Sequence, residues 1–194
     1  MRPLTLEDVE DRATFVAKRP QHEAEFLRTR ALRRLALGPN MTLLFENQAT
    51  VLWQVQEMCR VENITQPAAV QFELDTYNPL LPNQSELSAT LLVEYPVEAE
   101  RKVMLTRLTG LQAHLRLRIE GAADAPAVFE AGREREDGKI SSVQFLRVPL
   151  SPEQRAAFFD LSRKASFVVD HPAYSHEAVL SGASRGALID DISR

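Results

Sequence analysis

The sequence predicts an α+β domain in which an antiparallel (mixed) sheet packs with helices, and three observations predict it. Helical apolar spacing and helix stop signals fill the first third. Two-residue alternation, the mark of half-buried strands, dominates from Leu87 onward. No linker-like stretch divides the chain, so residues 1–194 are expected to form one domain, with residues 1–38 a candidate N-terminal helical subdomain.

In chain order, Leu4 to Val9 opens a first helix. Thr5 can cap it, Glu7 and Asp8 fill its first turn, and Leu4 can staple onto Val9. Pro20 predicts a boundary or kink near Arg19 and suits the first turn of a second helix. That helix carries Phe26, Leu27, Ala31 and Leu35 as its apolar stripe and stops at Gly38-Pro39. Its late arginines, Arg28, Arg30, Arg33 and Arg34, complement the helix end and read as a solvated face. Met41 to Glu46 reads as a short buried strand. Asn47 or Gln48 then opens a central helix in which Val51, Leu52, Val55, Met58 and Cys59 share one arc, with Gln54 inside it. Trp53, Glu57 and Arg60 cluster on the opposite side. An indole there predicts that this second face is covered too, its polar groups satisfied internally.

Pro67 to Tyr77 reads as another helix, stopped by Asn78-Pro79. Strands follow at 87–95 and 113–120, with a helix over 97–108 between them and Gly110 as its stop. In the second strand Leu115, Leu117 and Ile119 alternate with His114, Arg116 and Arg118, so His114 is expected at the surface. A short strand at 127–131 joins one at 140–149 through an Asp137-Gly138 turn signal. Ser151-Pro152-Glu153-Gln154 is a capping box, and its helix is expected to reach about Arg163. A strand at Phe167–Val169 resumes at Ala178–Leu180. A final helix docks through Leu188, Ile189 and Ile192.

Composition excludes several functions. The net charge of -4 lacks the basic surface that nucleic acid or an anionic membrane requires. No apolar run approaches the roughly 18–20 residues of a membrane span, and the start turns acidic with no apolar signal core. The single Cys59 can form neither an internal disulfide nor a zinc thiolate cluster, which suits a reducing cytoplasm. No phosphate-binding glycine-rich loop, GxGxxG or GxSxG elbow occurs. A homodimer is the default assembly, required by no feature of the sequence.

The segments GPNMTLLFEN, QVQEM, YNPLLP, LLVEYP, SSVQFLRVPL and HPAYSHE occur in this order. Their combination resembles an uncharacterised bacterial family, the domain-of-unknown-function family numbered 3501, over nearly the whole chain. The resemblance implies gene neighbours such as rubrerythrin and an iron–sulfur oxidoreductase. With them it implies a link to iron, peroxide or electron transfer and a rubrerythrin-like or iron–sulfur partner. It assigns no catalytic residues.

The densest chemistry lies in Asp170-His171-Pro172-Ala173-Tyr174-Ser175-His176-Glu177. Imidazole and carboxylate suit iron or another divalent metal. Five residues apart, the two imidazoles diverge on a helix or a strand, so only a turn at Pro172 lets them converge. Glu57 and Glu94 are the distant carboxylates expected to complete the set, with Glu46 and Glu73 as further candidates. The expected metal ligands are therefore His171, His176, Glu177, Glu57 and Glu94. The bland reading is a strand-edge turn whose imidazoles bond the backbone. Two other readings stay open: a non-catalytic adaptor for a redox partner, and a small-molecule enzyme. The enzyme's pocket would draw on Gln54, Glu57, Arg60, Tyr77 and Glu94, with the phenol of Tyr174 beside the late turn. Cys59 reads as an inert buried thiol.

Overall fold

The computed structural model describes residues 1–130 and 138–193. They form an α+β fold of six helices and two antiparallel sheets. The helices are α1 (Arg12–Ala31), α2 (Gln48–Val61), α3 (Pro67–Tyr77), α4 (Glu98–Arg107), α5 (Pro152–Phe159) and α6 (Gly182–Ile192). One sheet orders the strands β1 (Arg34–Ala36), β2 (Met41–Phe45), β3 (Glu86–Val93), β7 (Val143–Pro149) and β6 (Val128–Phe129). The other orders β5 (Ala125–Pro126), β4 (Leu115–Ile119), β8 (Ala165–His171) and β9 (Tyr174–Val179). The Asp137 half of the expected turn lies outside the described residues.

The inner faces of the sheets share one core. Leu43, Leu91 and Leu146 from the first sheet join Leu117, Phe167 and Val169 from the second, and the Phe45 and Phe167 rings meet at 5.3 Å. Alternation along each strand sends the remaining side chains to the outer faces. A second, smaller core lies in a helical layer, where Val51, Val55 and Cys59 of α2 pack with Leu74 of α3 and with Leu4 and Leu81.

Pro20 does not divide the first helices. Helix α1 runs unbroken through it, capped by Asp11, whose side chain accepts from the Ala13 and Thr14 amides. A proline inside a helix costs about 3 kcal/mol. Contacts on both sides of Pro20 offset that: Phe15 before it and Phe26 after it both pack on Trp53, and Arg19 bonds Glu57 across the interface at 2.9 Å. These contacts also bear out the expectation that the Trp53 side of α2 is covered. The Thr5 capping box is real but caps only a 3-10 turn, Leu6–Asp8.

The expected tail of the second helix is instead strand β1, and Gly38 turns the chain into β2. Arg33 is no solvated residue. It is 9% exposed and makes a two-bonded ion pair with Asp191 of α6, at 2.7 and 2.9 Å. Helix α5 stops at Phe159, short of Arg163, because Arg185 takes over its C-terminal carbonyls. That guanidinium donates to the carbonyls of Ala157 and Phe158, which a helix end leaves unpaired, and to those of Asp160 and Arg163 just beyond it. Strand β9 begins at Tyr174, well before the expected resumption at Ala178, because Pro172-Ala173 closes a tight hairpin with β8.

Candidate functional site

The outer face of the five-stranded sheet carries the candidate site. Strand alternation places Thr42, Leu44 and Glu46 on this face, with Thr90 and Ser88 from β3 and Phe145 from β7. Helices α1, α2 and α3 roof part of it and leave two adjoining cavities of about 530 and 570 Å³ that share Tyr77 and Phe145. Together they form one groove. Phe26 and Trp53 wall one end, Val128 and Phe129 the other, and Val61 and Val143 stand exposed at the rim.

Glu46 lies at the floor of the first cavity and is 6% exposed. One carboxylate oxygen accepts from the Thr50 hydroxyl at 2.7 Å and the Gln54 amide at 3.0 Å; the other accepts from the Thr90 hydroxyl at 2.8 Å. All three donors are uncharged. Among the described residues no basic side chain forms an ion pair with Glu46. The nearby cation is already committed: Arg33 lines the same cavity but is held by Asp191. Asp191 also accepts from the Asn47 amide at 3.1 Å, and Asn47 accepts from the Thr50 amide at 2.9 Å. One hydrogen-bonded network thus runs from Arg33 to Glu46 and fixes the carboxylate against rotation. A buried carboxylate without a counter-charge costs several kcal/mol of desolvation, and hydrogen bonds from neutral donors return only part of that.

The second cavity adds two hydroxyls with no partner among the described residues. Ser88 is 4% exposed, and Tyr77 stands between the cavities. Burial and the Glu73 charge push the Tyr77 phenol upward, so it serves as a hydrogen-bond donor at neutral pH. Arg147 does not face the groove as a free charge. It clamps the loop beneath, donating to Glu86 and to the Pro79 carbonyl.

The residues expected from the sequence fall in several places. Gln54, Glu57 and Tyr77 line the groove. Glu57 is closed off by Arg60, at 3.0 Å, and by Arg19, at 2.9 Å, and these hydrogen bonds pull its carboxyl down to about 2. Arg60 thus serves Glu57 rather than the groove. Tyr174 lies away from the groove, beneath the β1–β2 turn. Its hydroxyl donates to the Leu37 carbonyl at 2.7 Å and accepts from the Asn40 amide at 3.0 Å.

The expected metal ligands do not converge. The hairpin does bring His171, Tyr174 and His176 to one face, as the turn at Pro172 required. His171, however, has both ring nitrogens engaged. The Ala173 amide donates to Nδ1 at 3.1 Å, so Nε2 carries the proton and donates to the Thr109 carbonyl at 3.2 Å. The His176 ring lies against Tyr174 and Gly38. Glu177 points to the opposite face, toward Lys164 and Arg118. Glu94 accepts from Thr42 at 2.5 Å beside Arg34, and Glu57 lies on α2. Among the described residues no group of three or more His, Cys, Asp or Glu side chains is placed to hold a metal ion. Cys59 is buried, and desolvation raises its thiol, as an inert cysteine requires.

The sequence marks Glu46 only as a spare ligand and does not single out Thr50, Ser88 or Thr90. Alternation along LLFEN and LSATLL carried the signal, since it groups Glu46, Ser88 and Thr90 on one face. What it lacked was the position of the helical roof.

The segments that carried the family resemblance meet in two places. Glu46, Gln54, Tyr77 and Phe145, from four of them, line the groove. The Gly38 turn, Glu94 and Tyr174 form the second meeting point. The family model described as "Protein of unknown function (DUF3501)" matches residues 3–192. Among solved structures, the chain is similar to a novel protein of unknown function from Burkholderia pseudomallei K96243. The two share 31% identity and a TM-score of 0.91, over 98% of this chain and 99% of that one. A search of curated proteins finds no match. A family model that spans nearly the full length, together with a relative of the same fold at this identity, places the assignment beyond a local motif: the chain belongs to the DUF3501 family.

Proposed function

We propose that this protein binds a small organic cation in the groove on the outer face of its five-stranded sheet, with Glu46 as the counter-charge. The observation that carries this reading is the buried Glu46 carboxylate, hydrogen-bonded only by neutral donors at the floor of a cavity of about 530 Å³. A ligand ammonium or amidinium supplies the charge that the protein withholds. The aromatic wall of Phe26 and Trp53 and the apolar rim suit an apolar body attached to that charge. Ser88 and Tyr77 offer hydrogen bonds to the far end of a longer molecule.

Trp53 is the only tryptophan and lines the cavity, so its fluorescence reports occupancy. Titration with phenethylamine and benzamidine is expected to saturate, whereas phenylacetate leaves the signal unchanged. A charge-assisted hydrogen bond is worth about 1.5–3 kcal/mol, so Glu46→Gln is expected to weaken the cations by tenfold or more. Equal binding of phenylacetate and the two cations, or undiminished cation binding by Glu46→Gln, contradicts the proposal.

A further inference from the structure

A third cavity, of about 280 Å³, lies between α1 and α2 on the other side of the Phe26–Trp53 stack. Its acids are largely committed. Asp8 pairs with Arg2 at 2.5 Å, and Glu10 pairs with Lys18 at 2.6 Å and with His22 at 3.0 Å. Glu25 stands exposed at the edge. The deep polar group is Gln56, which is 5% exposed yet makes no side-chain hydrogen bond among the described residues. No fully enclosed side-chain nitrogen or oxygen lacks a partner among these residues. The Gln56 carboxamide therefore spends its small exposure on the cavity that it lines.

A buried carboxamide that no described protein group bonds is available to pair with a guest. It presents a donor and an acceptor side by side. Its complement is a planar edge bearing an acceptor beside a donor, as adenine carries, which Gln grips with two parallel hydrogen bonds. The walls suit a ring. Phe26 and Trp53 hold each other's faces at 4.9 Å, and Phe15 stacks on His22 at 5.7 Å, so these aromatics offer a guest their edges. The volume is at the small end for ligand pockets and admits one fused ring system.

We propose that this cavity is a second ligand site, which takes a planar heterocycle with an adjacent donor and acceptor through Gln56. The site is separate from the groove, although Phe26 and Trp53 line both. The test is titration of the full chain with adenine, followed by Trp53 fluorescence and calorimetry. N6,N6-dimethyladenine, which lacks the donor, serves as the control. Adenine is expected to bind and the dimethyl compound to bind at least tenfold more weakly. Gln56→Leu is expected to lose adenine binding while unfolding at equal or higher urea, since it removes an unpaired polar group. Ala49→Phe, which fills the cavity from an exposed position on α2, is expected to lose binding without touching Gln56. Glu46→Gln is expected to keep it. Failure of adenine to bind the wild-type chain overturns the proposal, as does unchanged binding by Gln56→Leu. Because Glu46→Gln tests the groove alone, the two sites fail separately.

Discussion

Replacing Gly38 with alanine is expected to destabilise the protein by about 2–4 kcal/mol, and the structure supplies both parts of that figure. Gly38 has φ +77°, a left-handed conformation that costs an L-residue roughly 1–2 kcal/mol. A Cβ built there lies 2.5 Å from His176 Cδ2 and 2.5 Å from the Tyr174 hydroxyl, closer than real Cβ atoms come to any neighbour. Tyr174 cannot simply withdraw, because its hydroxyl is held by Leu37 and Asn40. Moving it forfeits hydrogen bonds worth about 1 kcal/mol each. Gly110→Ala is the internal control: φ there is +89°, but nothing beyond its chain neighbours lies within 4 Å of the added carbon, so only the conformational cost applies. Urea denaturation of both variants separates the two parts. For a chain of this length each kcal/mol moves Tm by about 2–4 °C, so Gly38→Ala is expected to melt roughly 5–15 °C lower. If Gly38→Ala costs no more than Gly110→Ala, the close packing of the turn under His176 and Tyr174 is refuted.

Two further outcomes follow from the ion pairs. Arg60 and Arg19 hold the Glu57 carboxyl at about 2, against an ordinary 4.5. Its stabilising contribution is therefore complete above pH 4.5 and is lost as pH falls toward 2. Partial exposure of the pair discounts this to about 1–2 kcal/mol. Glu57→Gln should thus unfold earlier in urea at pH 7 and converge on the wild type as the pH drops through that window; a gap that widens toward acid contradicts the sign. Arg33→Met strands Asp191 in the interior and is expected to cost about 3–5 kcal/mol. The double variant Arg33→Met/Asp191→Leu should recover most of it, and chemical denaturation of the wild type and the two variants checks the recovery.

Local chemistry made much of the fold legible. Leu115–Ile119 alternates cleanly, and Ser151 and Gln154 reciprocate as a capping box. Pro67 starts α3, and Asn47 caps α2. The errors arose where distant contacts overruled local preference. Pro20 sits inside a helix because Trp53 and Glu57, far along the chain, grip both of its flanks. The Arg34–Ala36 stretch looks helical by composition but is a strand because Leu35 pairs with Leu43. Arg33, just before it, reads as a surface group until Asp191 folds back from α6 to meet it.

The site was less legible for the same reason. Histidine density drew attention to the late hairpin, whose tight turn spends His171 on the Ala173 amide and the Thr109 carbonyl. Nothing local reveals that engagement. Glu46 looked like the end of a buried strand, and its isolation from cations became visible only with the helices in place over the sheet.

If the Glu46 carboxylate is the ligand-binding charge of the groove, a bound cation must act on the groups that surround it. The most direct measurement is a benzamidine titration followed by the NMR signals of the Gln54 side-chain amide, which donates to Glu46, and of the Trp53 indole. Both are expected to shift along one binding curve, and Glu46→Gln is expected to abolish that curve while Gln56→Leu leaves it intact. Benzamidine shifts that spare the Gln54 amide, or that survive in Glu46→Gln, contradict the account.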